Sequence, residues 1–212
     1  MAAKKNSLYN VLKHFGVISE ESKAENLSLQ KIVNNGQAVL RGVLRGARLR
    51  LFHKNELCFG KRISVFRGVV FRIYKGSRWV FGHRCKIGKN AFVSVLSDGV
   101  LMLGDGVSIG ENSRIVCHEK ISIGKDTLLA PNVMIYDHDH VFDSEIGVHK
   151  RDFKTSPIVI GENCWIGANT VILRGTIIGK NCVIGAGSVV SGDIPDGTLF
   201  VQKRDTQMRK IR

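Results

Sequence analysis

Along the second half of the chain a large aliphatic residue returns at every sixth position. Between Ile158 and Gly192 these residues are Ile160, Ile166, Ile172, Ile178, Ile184 and Val190. Glycine follows the aliphatic at 161, 167, 179 and 185. Asn or Gly stands three places after it at Asn163, Asn169, Gly175, Asn181 and Gly187, and the fourth place is small: Cys164, Thr170, Thr176, Cys182 and Ser188. A helix repeats at 3.6 residues and a plain strand at two, so neither explains the pattern. A short strand followed by a tight turn does, with Asn or Gly supplying the left-handed backbone of the turn. Three such units close one triangular coil, which stacks Ile160 beneath Ile178, Ile166 beneath Ile184 and Ile172 beneath Val190. Parallel strands about 4.8 Å apart then bury each aliphatic on the next. The pattern predicts an all-β solenoid, a parallel β-helix.

Upstream the same step is legible at Phe81, Ile87 and Val93, then at Leu103, Ile109 and Ile115, then at Ile123, Leu129 and Ile135. With the last two coils this makes about five. From Leu57 to Val80 the chain is rich in strand-forming runs, ISVF, VVFRIY and RWVF, among Gly60, Gly68 and Gly76. The repeat breaks after Ile135 and resumes at Ile158. The insertion, YDHDHVFDSEIGVHKRDFKTSP, carries His138, His140 and His149 together with Lys150, Arg151 and Lys154. A long insertion in a regular solenoid is usually functional. Pro195 and Gly197 are expected to stop the solenoid. The organisation is therefore a helical, basic extension over 1–56, a solenoid over 57–196 with an inserted loop at 136–157, and a basic tail over 197–212.

Within the extension, Asn6 to Phe15 places Leu8, Val11, Leu12 and Phe15 on one helical face, with Asn6 or Ser7 as cap and Gly16 as stop. A second apolar stripe from Leu27 to Leu51 runs beside arginines and is weakened by Gly36, Gly42 and Gly46, each costing a helix about 1 kcal/mol. It suits either an anionic membrane surface or a packing arm on the solenoid or a neighbouring subunit, the second being favoured.

Composition narrows the partners. The net charge is +14, and between Ala38 and Lys86 Glu56 is the sole acid against thirteen Lys and Arg residues. That field favours polyanions: an acidic glycan, the anionic cytoplasmic leaflet or a phosphate-bearing carrier. A solvated basic face is the plainer alternative. Nucleic acid is not expected, since no recognition motif or aromatic platform accompanies the charge. No apolar run approaches the roughly 20 residues of a membrane span, and MAAKKNSLYNVLKHF lacks the apolar core of a signal peptide. Cys58, Cys85, Cys117, Cys164 and Cys182 form no CxxC pair and are odd in number, which indicates reduced thiols and a cytoplasmic location. Cys164 and Cys182, eighteen residues apart, stack on successive coils at a spacing that admits a disulfide, with small inward-facing thiols the favoured reading.

From Phe81 to Asp196 the repeat resembles the left-handed β-helix acyltransferases with hexapeptide repeats, which implies left-handed coiling and a homotrimer with sites in clefts between subunits. LLAPNVMIYDHDHVFD, residues 128–143, resembles the segment that carries the catalytic histidine in galactoside, maltose and polysaccharide O-acetyltransferases. The match combines the Ala130-Pro131 turn, the register, the loop position and the later Trp165-Ile166-Gly167. It places the catalytic histidine at His140; His138, on the same side of an extended segment, is the alternative. In such chemistry an imidazole, which titrates near neutrality, takes the proton of a sugar hydroxyl as its oxygen attacks the thioester of acetyl-CoA. A backbone N–H then stabilises the oxyanion. Direct transfer is expected, because no Cys or Ser stands out as a nucleophile.

Tyr136, Asp137, His118 and Asp143 are the candidate acceptor contacts. Asp137, Asp139 or Asp143 could orient the imidazole, with turn formation the commoner role of such acids. The resemblance sets Gly110 and His118 where galactoside enzymes bind acceptor through Asn and Asp, so the acceptor should differ. His118 is a substrate contact, a second imidazole facing His140 or a surface histidine. For acetyl-CoA the resemblance points to Trp165, Ala168 and Ala186, with Ser191 near the nucleotide and Lys180, Lys203 or Arg204 for phosphates. Gln202 to Thr206 departs from the relatives' Gly-x-Pro-Ala. The expected activity is O-acetylation of a saccharide, such as a capsule or lipopolysaccharide sugar, with an acidic or lipid-phosphate-linked acceptor. N-acetylation of an amino sugar nucleotide is the nearest rival. More distant are a zinc site of His118, His138 and His140 and a non-catalytic solenoid that docks polyanions. No metal is expected.

Overall fold

The computed structural model describes residues 55–203 and, outside that span, 36–37, 40–42, 44–45, 48, 51 and 208. The helix expected over Asn6 to Phe15 lies outside the described residues. The described residues form a left-handed parallel β-helix with three faces, the first two of seven strands and the third of six. This makes six complete coils and two strands of a seventh, one coil more at the N-terminal end than the sequence suggested. That first coil pairs Phe59 with Phe81, Val65 with Ile87 and Phe71 with Val93. Its period is hard to read because aromatic residues hold two of the three inward positions, and Phe66 stands where the second face of later coils carries glycine or alanine. Phe59, Phe71, Trp79 and Phe81 fill this end with ring contacts of 5.0–6.1 Å.

The stacking of Ile160 on Ile178, Ile166 on Ile184 and Ile172 on Val190 is as expected. Each of these side chains is at most 1% exposed, and each contributes about 1.5–3 kcal/mol by leaving water. Asn163, Asn169 and Asn181 hold φ of 55–57° at the turns. Cys164 and Cys182 are free, buried thiols that donate to the carbonyls of Gly179 (3.0 Å) and Pro195 (3.1 Å) in the next coil.

The glycine after the first-face aliphatic answers to crowding between coils. A Cβ at Gly161 would lie 2.5 Å from the carbonyl oxygen of Gly179, and the same clash recurs from Gly124 to Gly161. Gly161→Ala is therefore expected to lower stability by about 1–3 kcal/mol, the cost of overpacking against backbone. Urea unfolding checks this; an unchanged midpoint would mean that the coils can part without penalty.

Within every coil the inward residues follow at six-residue steps, so all length variation falls at one place, the corner where the third face returns to the first. There the chain spends residues 74–77, 96–99 and 118–119 in successive coils, and then the whole insertion. The solenoid does not stop at Pro195 and Gly197. Asp193–Ile194 and Leu199–Phe200 continue two faces, and Pro195 and Gly197 lie in the turn between them. Gln202 closes the third face instead of a strand: its side-chain amide donates to the Val189 carbonyl (2.8 Å) and accepts from the Val189 N–H (3.0 Å). Pairing the edge in this way removes a template for a further strand.

The described residues between 36 and 51 are helical, and two of them, Gly42 and Arg45, meet the first coil. Gly42 is buried so close to Ile63 that a Cβ would fall 2.1 Å from its carbonyl oxygen, and Arg45 lies over the Phe71 ring at 5.6 Å. Leu40, Leu44 and Leu51 face outward. Among the described residues no helix is long and apolar enough to cross a membrane.

Candidate active site

The insertion is an antiparallel hairpin, His138–Asp143 against Gly147–Thr155. His138 pairs with Thr155 and His140 with Phe153, and the register shifts between His140 and Val141. Asp143 builds the tip: its carboxylate accepts the N–H groups of Glu145 (2.9 Å) and Ile146 (2.7 Å) and lies 2.5 Å from His149 Nε2. These bonds hold it below the usual carboxylate range. Expected as an acceptor contact, Asp143 is committed to the turn.

At the base of the hairpin Asp137 is fully buried. Its carboxylate accepts the N–H groups of His118 (2.8 Å) and Glu119 (2.8 Å) in the preceding coil's corner and of Lys120 (2.9 Å) at the start of the next strand. Oδ1 also lies 3.4 Å from His138 Nδ1. Burial pushes this carboxyl up, but the hydrogen bonds from His138 and the backbone outweigh it and leave Asp137 below its ordinary value. Asp137 was expected to touch the acceptor. With no exposed surface, it pins the hairpin to the solenoid instead.

Above this anchor the rings gather. His118 stacks on His138 with centroids 3.6 Å apart and planes 15° from parallel, so it faces His138 and not His140. Phe153 packs 4.5 Å from His118, 5.5 Å from His138 and 4.6 Å from His140. Tyr136 meets His138 edge-on at 6.0 Å. Burial, and then the like charge of His138, lower the His118 pKa and so favour its neutral form. His140 is exposed, and its Nδ1 lies 3.4 Å from the His149 carbonyl. A carbonyl only accepts, so this contact calls for a proton on Nδ1, and in the neutral ring the lone pair is then on Nε2. On the opposite side of the strand, Asp139 meets Arg174 at 2.5 Å and ties the hairpin to the following coil.

Phe153 and Arg174 were not singled out from the sequence. The only signal for Phe153 was its place in the second half of the insertion, which becomes opposite to His140 once the hairpin register is known. The three imidazoles do not form a ligand set. Stacked rings hold their in-plane lone pairs in parallel planes, and among the described residues no group of three or more His, Cys, Asp or Glu is disposed to hold a metal ion.

The residues assigned to acetyl-CoA divide. Trp165, 53% exposed on the second face, lies in register with Leu128 and Val183. Ala168 and Ala186 stand at the next corner on adjacent coils, where Gly187 N–H donates to the Ala168 carbonyl (2.7 Å). These three line one edge. Lys180 is exposed at the first corner and Ser191 at the third, so one subunit does not bring them to that edge. Lys203 is exposed beyond the last strand, and Arg204 is outside the described residues.

A parallel β-helix with these repeats defines a class of fold: within it, residues 157–192 match the family described as bacterial transferase hexapeptide, six repeats. Among curated proteins it is 35% identical over 109 residues to WbbJ of Escherichia coli, named a candidate lipopolysaccharide-biosynthesis O-acetyl transferase, covering 48% of this chain and 56% of that one. It is 37% identical over 98 residues to the galactoside O-acetyltransferase of E. coli, covering 43% and 48% respectively. The chain thus spans about half the length of the curated relatives it matches. Among solved structures, a point mutant of AntD, an N-acyltransferase from Bacillus cereus in complex with dTDP-4-amino-4,6-dideoxyglucose and coenzyme A, matches with a TM-score of 0.59 at 17% identity. That match covers 77% of this chain and 89% of AntD and speaks for the fold.

Proposed function

We propose that this chain is an acetyl-CoA-dependent O-acetyltransferase acting on a saccharide, with His140 as general base. The observation that carries this reading is the His140 side chain: exposed, backed by Phe153 and held at Nδ1 by a carbonyl, it offers Nε2 to an incoming hydroxyl. The E. coli relatives named as O-acetyltransferases support the reaction class. His138 is the second choice, since it is stacked on His118, with Phe153 edge-on to it, and its side chain is 14% exposed.

In the proposed reaction Nε2 of His140 removes the acceptor O–H proton as that oxygen bonds to the thioester carbonyl carbon. The carbonyl electron pair moves to oxygen, then returns to expel the sulfur, and the imidazolium proton passes to the leaving thiolate. Much of the acceleration comes from holding both substrates in line. An acyl-enzyme on cysteine is disfavoured, because burial pushes Cys85 up to about 12 and also raises Cys117 and Cys164, while Cys58 belongs to the first coil.

The edge of Trp165, Ala168 and Ala186 suits a slender arm: small side chains at the corner leave peptide groups open to hydrogen bonds. Exposed Leu128, Trp165, Ile177 and Val189 on the solenoid faces favour a homotrimer, in which a neighbour would close that edge into a cleft and bring a further corner to the cofactor. The unpaired thiols fit a reducing, cytoplasmic compartment, and the basic N-terminal half fits an acidic or lipid-phosphate-linked acceptor at the inner membrane face.

The test is thiol release from acetyl-CoA with neutral, amino and acidic oligosaccharides. Acceptor-dependent release with a base-labile ester product is expected. Amide products from amino sugars alone would turn the assignment to N-transfer, and no release with any acceptor would overturn it.

A further inference from the structure

The hairpin folds back beside the earlier coils, and an open cleft of about 580 Å³ lies between them. Tyr74, Ser97 and His118 line it from the corners of the first three coils, and Arg151, Asp152 and Phe153 from the hairpin. These corners are where the chain departs from the minimal repeat, so the cleft is made of this protein's additions to the solenoid. Its volume falls within the range of small-molecule sites, about 300–1,000 Å³.

The chemistry of the lining is specific. Tyr74 is 43% exposed, and the Ser97 hydroxyl and the His118 imidazole supply hydrogen-bonding groups in the same cleft. Arg151 is exposed, and among the described residues no carboxylate pairs with it. The adjacent Asp152 is directed to His149 Nδ1 at 3.4 Å. An unpaired guanidinium on one wall and an aromatic face on the other match a sugar ring that carries a negative charge. Guanidinium grips carboxylate or phosphate through paired N–H donors, and an aromatic face packs on the apolar side of a pyranose.

We propose that this cleft seats the acceptor as an anionic pyranose bearing a carboxylate or phosphate, with Arg151 on the anion and Tyr74 against the ring. Its link to turnover rests on the O-acetyltransferase reading, through His118 and Phe153, which belong both to the cleft wall and to the ring cluster at His140.

Calorimetric titration without acetyl-CoA tests the seat separately from the chemistry. The probes are a glucuronic-acid disaccharide, the matching neutral glucose disaccharide and a hexose phosphate. The proteins are wild type, Arg151→Gln, Tyr74→Ala, Tyr74→Phe and His140→Ala. Wild type is expected to bind an anionic probe about tenfold more tightly than the neutral one, and Arg151→Gln to erase that preference. Tyr74→Ala should weaken all binding by roughly threefold or more while Tyr74→Phe retains it, and His140→Ala should bind as wild type does. The tighter of the two anionic probes identifies the charge. Equal binding of charged and neutral probes by wild type, no binding of any, or full anion preference in Arg151→Gln overturns the assignment. Failure of the transfer reading would abolish turnover with every acceptor and leave the binding pattern intact. Failure of the cleft would remove the anion preference and leave turnover.

Discussion

Acceptor-dependent thiol release from acetyl-CoA falls by about 10²- to 10⁴-fold when His140 is replaced by alanine, the usual contribution of a positioned base. The loss belongs in kcat, since the imidazole acts on a proton in flight and holds neither substrate by itself. Stability should change by about 0.5 kcal/mol or less, because an exposed side chain leaves no cavity. His138→Ala provides the contrast. Its ring is stacked on His118, meets Phe153 edge-on and lies beside a buried carboxylate, so its removal disturbs the cluster and shifts the unfolding midpoint along with the rate. A large rate loss in His138→Ala with near-normal turnover in His140→Ala would reverse the assignment of the base.

Replacing Asp137 by alanine strips three backbone N–H groups of their acceptor at the root of the hairpin. The expected cost is about 3 kcal/mol or more, since unsatisfied donors each lose roughly 1–3 kcal/mol. The same carboxylate shapes the acid limb of stability. Its folded pKa is depressed, so the stabilisation is complete above the carboxyl's unfolded value and is lost as pH falls through the folded value. Asp137→Asn, which cannot titrate, should lose stability at neutral pH and show a shallower acid limb than wild type. Urea midpoints followed from neutrality into acid would reveal this. Parallel acid limbs in the two proteins would remove Asp137 as the group responsible.

Much of this architecture was legible in the residues because its rules are local and repeated. The six-residue step, Asn163 and Asn169 at left-handed turns, and small Cys164 and Cys182 at inward corners each reflect a constraint satisfied within one turn and the coil beside it. The break after Ile135 likewise located the insertion and its histidines. The first coil is not legible in the repeat because Phe59 and Phe71 fill two inward positions with aromatic bulk and Phe66 stands where the second face of later coils carries glycine or alanine.

The chemistry of the insertion depended on distance in space. Nothing within YDHDHVFD tells that Asp137 turns inward to the amides of His118, Glu119 and Lys120 while Asp139 turns outward to Arg174. Nor does it tell that Phe153, from the far strand, backs His140. Hydrophobic period and turn propensity are encoded in a run of neighbours, whereas a buried carboxylate, a hairpin register and a cleft assembled from Tyr74, Ser97, His118 and Arg151 exist only after the coils stack and bring distant corners into one row. The sequence alone therefore determined the solenoid and the position of its interruption, and tertiary packing decided which of the inserted side chains became scaffold and which were left facing a substrate.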